Sequence, residues 1–162
     1  MNRITPCLWF DGTAEEAANF WTRIFPDSHI DKVHHAVADN PSTSEGAVLT
    51  VEFTLSGNPF VGLNGGPEFT FSEAISFQID CSDQSEVDRY WDALTADGGQ
   101  PGPCGWLKDR FGVSWQVIPS RMNELLQGTD PDGARRAMQA MLQMGKLDVA
   151  KLEAAYAGTA QA

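Results

Sequence analysis

The chain has 162 residues and carries 22 acidic against 11 basic side chains, for a net charge of −11. A hydrophobic content of 42% argues against a disordered chain, and the acidic balance argues against a nucleic-acid or anionic-membrane partner. The excess acid lies in residues 1–119, with 17 acidic and six basic side chains, whereas residues 120–162 hold five of each. This length suits one domain or two half-domains.

Neither end of the sequence nor its cysteines indicate export. The N-terminal residues lack the apolar stretch and cleavage site of a signal peptide, and no run approaches the roughly 18 apolar residues of a membrane span. Cys7, Cys81 and Cys104 are widely spaced, which argues against a disulfide framework or a zinc knuckle. We therefore expect three buried free thiols and a cytoplasmic protein.

The first half of the sequence predicts a strand, a helix and three further strands. The first strand spans residues 4–10, and the helix spans residues 11–25, with Thr13 and Glu16 at capping-box spacing. Its apolar face lies at positions i, i+3, i+4 and i+7, namely Ala17, Phe20, Trp21 and Ile24. After it we predict a strand at 28–37, a loop at 38–46, an alternating strand at 47–55, a turn at 56–59 and a strand at 60–64.

The second half repeats this pattern. A strand over residues 74–81 leads to Asp83 and Glu86, again at cap spacing. Val87, Tyr90, Trp91 and Leu94 then repeat the apolar face at the same four offsets. Strands follow at 105–108 and 113–118. Only two strands are recognisable after the second helix, but the repeat leads us to interpret both halves as βαβββ. This predicts an α+β fold of two paired modules that form one curved sheet, with helices outside and a cleft inside.

Residues 120–162 predict a helical extension. Ser120 is placed to cap a short helix, 121–127, and Asp130 and Pro131 begin a second helix. The second helix is predicted to have one apolar face, made by Ala134, Met138, Met141 and Leu142. Asp148 begins a last helix, which turns Val149, Leu152 and Tyr156 inward. The predicted organisation is a paired domain over 1–119, with modules of about 1–66 and 73–119, and a helical extension over 120–162.

Three motifs carry a resemblance to a known family. They are LNGGP at residues 63–67, followed by Phe69 and Phe71; DRYW at 88–91; and CGWLKDRFGVSWQVIP at 104–119. With the repeat, they resemble the PhnB-like branch of the vicinal oxygen chelate superfamily, which contains glyoxalase I and bleomycin-resistance proteins. Members of this branch often carry the label 3-demethylubiquinone-9 3-methyltransferase. The resemblance covers residues 1–119 and implies paired βαβββ modules, commonly as a homodimer, with a site in each cleft.

The resemblance also implies where a metal would bind. Metalloenzymes of the superfamily place His or Glu ligands on the first and last strands of the modules. Those positions fall here on Pro6, Ser76 and Gln116, with a fourth near Gly62 or Asn64. A proline, a hydroxyl and a neutral amide are poor ligands for first-row metals. We therefore expect no metal in this site, and no cofactor is predicted.

Strand alternation extends the predicted cleft surface. If Ser76 faces the cleft, so do Gln78 and, by the repeat, Leu8; if Gln116 faces it, so do Ser114 and Ile118. Trp9 and Trp115 are predicted to turn toward the helices. The ligand-binding residues predicted from this surface and from the neighbouring strand ends are Ser76, Gln78, Gln116, Trp106, Asn64 and Lys108.

Other polar groups have two interpretations. Lys108, Asp109 and Arg110 form a charge cluster that either shapes a turn or captures an anionic ligand. His34 and His35 are adjacent on a predicted strand, so only one of them can face the cleft. Each is interpreted either as a surface residue or, if it faces the cleft, as a general base. The paired glycines of residues 65–66 indicate a tight turn rather than a phosphate loop, because no helix pattern follows them.

The sequence thus predicts a dimeric, cytoplasmic, metal-free protein that binds a small organic molecule, with aromatic compounds as first candidates. Whether it is an enzyme stays open. The alternatives are a methyltransferase, a metal-dependent glyoxalase or dioxygenase, and a non-catalytic drug-sequestering protein. Against the methyltransferase stands the lack of a recognisable glycine-rich nucleotide-binding unit in the sequence.

Overall fold

A computed structural model describes residues 4–159 of the chain. The chain divides into two compact units, residues 1–71 and 72–162. Each unit holds a four-stranded mixed sheet with a helix between its first two strands, and the second unit also contains three C-terminal helices. The predicted α+β fold of two βαβββ modules with a helical tail is confirmed. Within residues 4–159, no helix is long and apolar enough to cross a bilayer.

The first module has the strand order β1-β4-β3-β2, in which β1 and β4 are parallel and the other pairs are antiparallel. Its elements are β1 (Cys7–Phe10), α1 (Ala14–Ile24), β2 (His29–His35), β3 (Val48–Leu55) and β4 (Asn58–Asn64). The turn between β3 and β4 is shorter than predicted. Ser56 and Gly57, with φ of 45° and 77°, make a two-residue hairpin turn, and Asn58 and Pro59 already belong to β4.

One face of the first sheet packs against α1. Alternation along β3 buries Val51, Phe53 and Leu55, as predicted. The indole of Trp21 on α1 lies 5.8 Å from the ring of Phe53 and 6.0 Å from that of Phe10. The core of this module is therefore an aromatic layer between one helix and one sheet face.

The start of α1 differs from the prediction. Thr13 is the N-cap residue, but its side chain makes no capping hydrogen bond. Instead, Asn64 at the end of β4 supplies the acceptor, since its Oδ1 receives the Ala14 N–H at 2.9 Å. Its amide nitrogen donates to the Val48 carbonyl at 2.9 Å, and Asn64 is only 4% exposed. One buried amide therefore satisfies the helix end and joins it to two strands.

The second module has the strand order β5-β8-β7-β6, again with one parallel pair, β5 and β8. Its elements are β5 (Phe77–Cys81), α2 (Gln84–Thr95), a single 3-10 turn (Ala96–Gly98), β6 (Gln100–Pro101), β7 (Trp106–Lys108) and β8 (Ser114–Pro119). The predicted cap is confirmed, because Asp83 accepts the Glu86 N–H at 2.9 Å. All four residues of the predicted stripe on α2 are buried.

Three helices follow: α3 (Ser120–Leu126), α4 (Pro131–Met141) and α5 (Val149–Ala157). The caps predicted at Asp130 and Asp148 are confirmed, since each accepts a backbone N–H of its own first turn. The cap predicted at Ser120 is wrong. Pro119 occupies the cap position of α3, and the Ser120 hydroxyl donates to the Cys81 carbonyl at 3.2 Å.

The predicted apolar face of α4 is confirmed in part. Met141 packs against the buried core of the tail, but Met138 and Leu142 are 48% and 56% exposed, whereas Gly133 and Ala137 are buried. The reason is the close approach of α5: a Cβ on Gly133 would lie 3.0 Å from the Tyr156 carbonyl oxygen. Gly133 and Ala137 are small enough for α4 to approach α5 this closely, whereas a side chain as large as that of Met138 would not fit between the two helices.

The tail packs against the second module of its own chain. Ile118 of β8 forms one buried cluster with five tail residues: Met122, Leu125, Ala137, Leu147 and Leu152. The Gln84 side chain donates to the Leu147 carbonyl at 3.0 Å and accepts the Val149 N–H at 2.8 Å. Because these contacts come from β8 and α2 together, the tail is fixed to both layers of this module.

The three cysteines are free, as predicted, but they are not all buried. Cys81 lies in the core, and its burial raises the pKa of its thiol to about 12. Cys104 is partly exposed and Cys7 is exposed. The prediction of buried thiols therefore holds for Cys81 alone.

We expect Asn64→Ala to lower the free energy of unfolding by about 1–3 kcal/mol, because it leaves the Ala14 N–H and the Val48 carbonyl without their buried partner. Urea denaturation followed by circular dichroism would measure the change. Asn19→Ala on α1 is the matched control, since its side-chain hydrogen bond is exposed, and a shift within about 0.5 kcal/mol is expected for it. Equal effects of the two substitutions would contradict the role given to Asn64.

Candidate functional site

Most of the predicted ligand-binding residues lie on one face of the second sheet. We call the face of a sheet that is turned away from its module's own helix the open face. Gln78, Gln116 and Trp106 are register partners across β5, β8 and β7, so their side chains lie in one row. The Gln116 amide donates to the Ser76 hydroxyl at 2.9 Å, which brings a fourth predicted residue to the row.

The next row of the open face contains Lys108. It is opposite Ser114 on β8 and opposite Gln100 on β6. Five of the six predicted ligand-binding residues are thus brought together by β5, β7, β8 and the residues that precede β5. Ile118 shares this face by alternation, but it is buried beneath the tail helices and is not available to a ligand.

Asn64 is the predicted site residue that the structure does not bring to this face. It belongs to the first module, where both of its amide atoms are used in buried hydrogen bonds to α1 and β3. Its prediction as a ligand contact is therefore corrected to a structural role.

Leu8 and Trp9 exchange the faces predicted for them. Leu8 is buried on the helix side with Phe10, so Trp9 lies on the open face of the first sheet. The burial patterns match Leu8 with Ile79 and Phe10 with Cys81. The separation between these matching strand residues is one residue greater than the separation between matching residues of α1 and α2. The connection before α1 is one residue longer than the connection before α2, so a fixed repeat length puts the strand residues on the wrong faces.

The paired glycines of residues 65–66 accommodate Trp9. Its indole nitrogen donates to the Gly66 carbonyl at 2.8 Å, and a Cβ on Gly65 would overlap the indole ring. Gly66 has a φ of +97°, and no helix begins in residues 65–76. These glycines therefore shape a turn around an aromatic ring and do not build a phosphate loop.

A pocket of about 480 Å³ opens beside the row that contains Gln100, Lys108 and Ser114, and only residues of the second module form its wall. Its walls include Gln100 of β6, Trp106 and Lys108 of β7, Ser114 of β8, and Glu73 and Cys104 of the connecting segments. Trp106 belongs to the pocket and also to the row of Gln78, Gln116 and Trp106, which we call the glutamine row. Ser76, Gln78 and Gln116 lie outside the pocket wall, next to it along the open face.

A tight turn closes one wall of the pocket. Cys104 and Gly105 have φ values of 55° and 84°, and the Trp106 N–H donates back to the Pro103 carbonyl at 3.0 Å. A Cβ on Gly105 would lie 2.8 Å from the Val117 carbonyl oxygen, so glycine is required there. The tail holds this turn in place, since the N–H groups of residues 104 and 105 donate to the carbonyls of Met144 and Gly145 at 2.7 and 2.8 Å.

The pocket contains one ion pair and one unsatisfied hydroxyl. Lys108 Nζ contacts Glu73 Oε1, and the hydrogen bond from Lys108 is the main cause that lowers the pKa of the Glu73 carboxyl. Ser114 is only 2% exposed, and its hydroxyl has no hydrogen-bond partner among residues 4–159. Such a buried, unpaired group is uncommon in folded proteins and requires an explanation.

The charge cluster of residues 108–110 is divided among three environments. Asp109 is 3% exposed: its Oδ1 accepts the N–H groups of Phe111 and Val113, at 2.9 and 3.0 Å, and its Oδ2 accepts the Trp115 indole N–H at 2.8 Å. Trp115 is buried, as predicted. The Arg110 guanidinium lies 4.9 Å from the Phe111 ring centroid. Lys108 is therefore the member of the cluster that faces the pocket.

Both histidines considered as general bases belong to the first module. His34 Nε2 lies 2.8 Å from Glu52 Oε1, and His35 Nδ1 lies 2.9 Å from the Gly46 carbonyl oxygen. Both contacts are exposed, and the pocket is built by the second module. The exposed pairing fits a surface role for each histidine.

The residues at the metal positions of the superfamily do not fit a divalent ion. The Gln116 amide is already hydrogen-bonded to Ser76, and Pro6 offers no side-chain ligand. No group of three or more His, Cys, Asp or Glu side chains that could hold a metal occurs in the part of the chain that the structure describes. The strand-to-helix connections at residues 11–13 and 82–83 contain a single glycine, Gly12, and so lack the glycine-rich turn of nucleotide-binding folds.

Comparisons with known proteins identify a matching family and two solved structures with a similar fold. A family model described as 3-demethylubiquinone-9 3-methyltransferase matches residues 2–118. The PhnB protein from Bacillus cereus is 34% identical over 74% of this chain and 100% of its own, with a TM-score of 0.64. A protein from Pseudomonas aeruginosa shares the fold at 18% identity, over 74% of this chain and 98% of its own, with a TM-score of 0.55. A comparison with curated proteins gave no match.

We expect Asp109→Asn to lower the free energy of unfolding by about 1–3 kcal/mol, because the amide cannot accept all the N–H groups that converge on the carboxylate. Urea denaturation followed by tryptophan fluorescence would measure the loss. Asp11→Asn, the same change at an exposed position, is the matched control and is expected to shift stability by less than about 0.5 kcal/mol. An unchanged midpoint for Asp109→Asn would contradict the role assigned to this carboxylate.

Proposed function

The chain belongs to the 3-demethylubiquinone-9 3-methyltransferase family, the PhnB-like branch of the vicinal oxygen chelate superfamily, and on this basis we propose that its second module binds a small organic molecule in the pocket beside β7. An aromatic molecule is the first candidate. The observation that carries the proposal is a pocket that combines an aromatic wall, Trp106, with a buried and unpaired hydroxyl, Ser114.

The size and chemistry of the pocket support this proposal. Small-molecule sites commonly have volumes of about 300–1,000 Å³, with mainly apolar walls and few polar groups. Here Pro101, Pro103 and Trp106 supply apolar surface, and Lys108 and Ser114 supply the polar groups. A ligand group that reaches Ser114 would provide the missing hydrogen-bond partner.

The glutamine row extends the proposed site. Trp106 is the register partner of Gln116, which is in turn the partner of Gln78. A ligand stacked on the indole would therefore meet amide groups, which donate and accept hydrogen bonds but carry no charge. We propose Ser76, Gln78 and Gln116 as the contacts for a polar part of the ligand that extends beyond the pocket.

The chemistry proposed here is binding and orientation without a metal or a nucleotide cofactor. The donor set at the metal positions is neutral, and the strand-to-helix connections lack a glycine-rich turn. We also propose a cytoplasmic homodimer, which the resemblance to this branch of the superfamily supports. Sedimentation velocity on the purified full chain would test the assembly, with a single species at twice the mass of 17.7 kDa as the expected result.

A thermal-shift panel tests the proposed ligand class. Indole and menadione, an aromatic and a quinone, are expected to raise the melting temperature with increasing concentration, as binding to the folded state requires. Trp106→Leu is expected to weaken that binding by about three- to tenfold, because it removes the stacking surface. Phe69→Leu, which changes an exposed ring of the first module, is the matched control and should leave the affinity unchanged.

The same panel includes S-adenosylmethionine and Zn²⁺ or Mn²⁺ as competing arms. Stabilisation by S-adenosylmethionine without any by the aromatics would replace the proposal with a methyltransferase. Stoichiometric stabilisation by a metal would replace it with a metalloenzyme. No shift with any compound would contradict ligand binding. Product analysis after incubation with a binding compound then separates an enzyme from a sequestering protein.

A further inference from the structure

Glu73 pairs with the cation of the pocket. Its carboxylate contacts Lys108 Nζ, and both residues form part of the pocket wall. Glu73 lies in the irregular segment between β4 and β5, whereas Lys108 is held on β7 by its pairing to both neighbouring strands. The cation is therefore positioned by the sheet, and the carboxylate is carried by a segment without regular structure.

The contact between these two side chains is easily exchanged. The Glu73 side chain is 63% exposed and that of Lys108 is 33% exposed. Exposed ion pairs contribute little to stability, because water and salt screen them. Withdrawal of Glu73 returns its carboxylate to solvent, whereas Lys108 keeps its place at the pocket and is free to pair with another anion.

Ser114 favours an external carboxylate over Glu73. It lies directly opposite Lys108 on β8, at a position where facing side chains are in reach of one another. Glu73 leaves the Ser114 hydroxyl unpaired. A carboxylate has two oxygens, so one bound to Lys108 has a second oxygen that can accept from the Ser114 hydroxyl. An incoming ligand thereby satisfies one group more than the internal glutamate does.

We propose that the pocket selects small molecules that carry a carboxylate, which replaces Glu73 on Lys108 and accepts a hydrogen bond from Ser114. This proposal rests on the ligand-binding function proposed above and specifies the chemical class of that ligand. Glu73 then acts as an internal competitor that sets the affinity for anions, and Trp106 provides the stacking surface for the rest of the molecule.

Isothermal titration with benzoate and benzamide tests the selection, since the two probes share a ring and differ in charge. The wild-type chain is expected to bind benzoate about tenfold more tightly than benzamide, as a charge-assisted contact provides. Lys108→Met should remove this preference. Glu73→Gln should strengthen benzoate binding by about two- to fivefold, because the competitor is lost, and should leave benzamide binding unchanged.

Two further variants make the test specific. Glu68→Gln removes the same charge from an exposed glutamate outside the pocket wall and should leave both affinities unchanged. Ser114→Ala should weaken benzoate binding by about three- to tenfold while the protein stays as stable as the wild type or becomes more stable, because the lost hydroxyl has no partner in the free protein.

The outcomes separate this inference from the function on which it rests. If indole and both probes fail to bind, the proposed function fails. If benzamide binds as tightly as benzoate, the pocket is a ligand site but carboxylate selection is overturned. The same conclusion follows if Glu73→Gln changes benzoate affinity no more than Glu68→Gln does, or if Ser114→Ala leaves benzoate affinity intact.

Discussion

The geometry of the second module depends on the buried carboxylate of Asp109. It holds the hairpin between β7 and β8 by accepting two backbone N–H groups of the turn and the Trp115 indole N–H. A carboxylate that receives several N–H donors is strongly stabilised in its charged form, and its removal leaves those donors without partners. Together with the main-chain hydrogen bonds between Asp109 and the turn, this group fixes the relative position of the two strands and so the placing of Lys108 opposite Ser114.

The two modules reach the same topology through different local solutions. In the second module the helix is capped by Asp83, immediately before it in the sequence. In the first module the cap is Asn64, fifty residues away at the end of β4. The duplicated pattern therefore preserves the order of strands and helix but not the side chains that join them. A residue found to be functional in one module has no guaranteed counterpart in the other.

The sequence predicts the features that depend on near neighbours. Both helices were identifiable because their apolar residues recur at helical spacing, and β3 because its residues alternate. Gln78, Gln116, Trp106 and Lys108 share one sheet face by the same alternation, and Ser76, which precedes β5, joins them through its hydrogen bond to Gln116. The two-residue strand β6 has too few positions to show a pattern. A fixed repeat length puts Leu8 and Trp9 on the wrong faces, because the connection before α1 has one more residue than its counterpart.

Other features of the site leave no signal in the amino-acid order. The unpaired hydroxyl of Ser114 is visible only when its surroundings are known, because serine is equally common where its hydroxyl is satisfied. The contact between Lys108 and Glu73 joins residues of a strand and of an irregular segment, without helical or strand spacing between them. Such pairs are set by tertiary structure, which local periodicity does not encode.

The attachment of the tail to the pocket wall has an evolutionary consequence. The matched family region ends at residue 118, so Met144 and Gly145, whose carbonyls hold the turn at Cys104, come from outside it. These bonds join main-chain atoms, and main-chain groups are the same in every residue except proline. The wall can therefore survive exchange of the side chains at these two positions as long as the buried cluster around Leu147 still holds the tail, whereas insertion or deletion of a residue between Gly145 and Leu147 would shift the two carbonyls. For the residues that touch the turn, chain length is thus the property on which selection for the pocket would act.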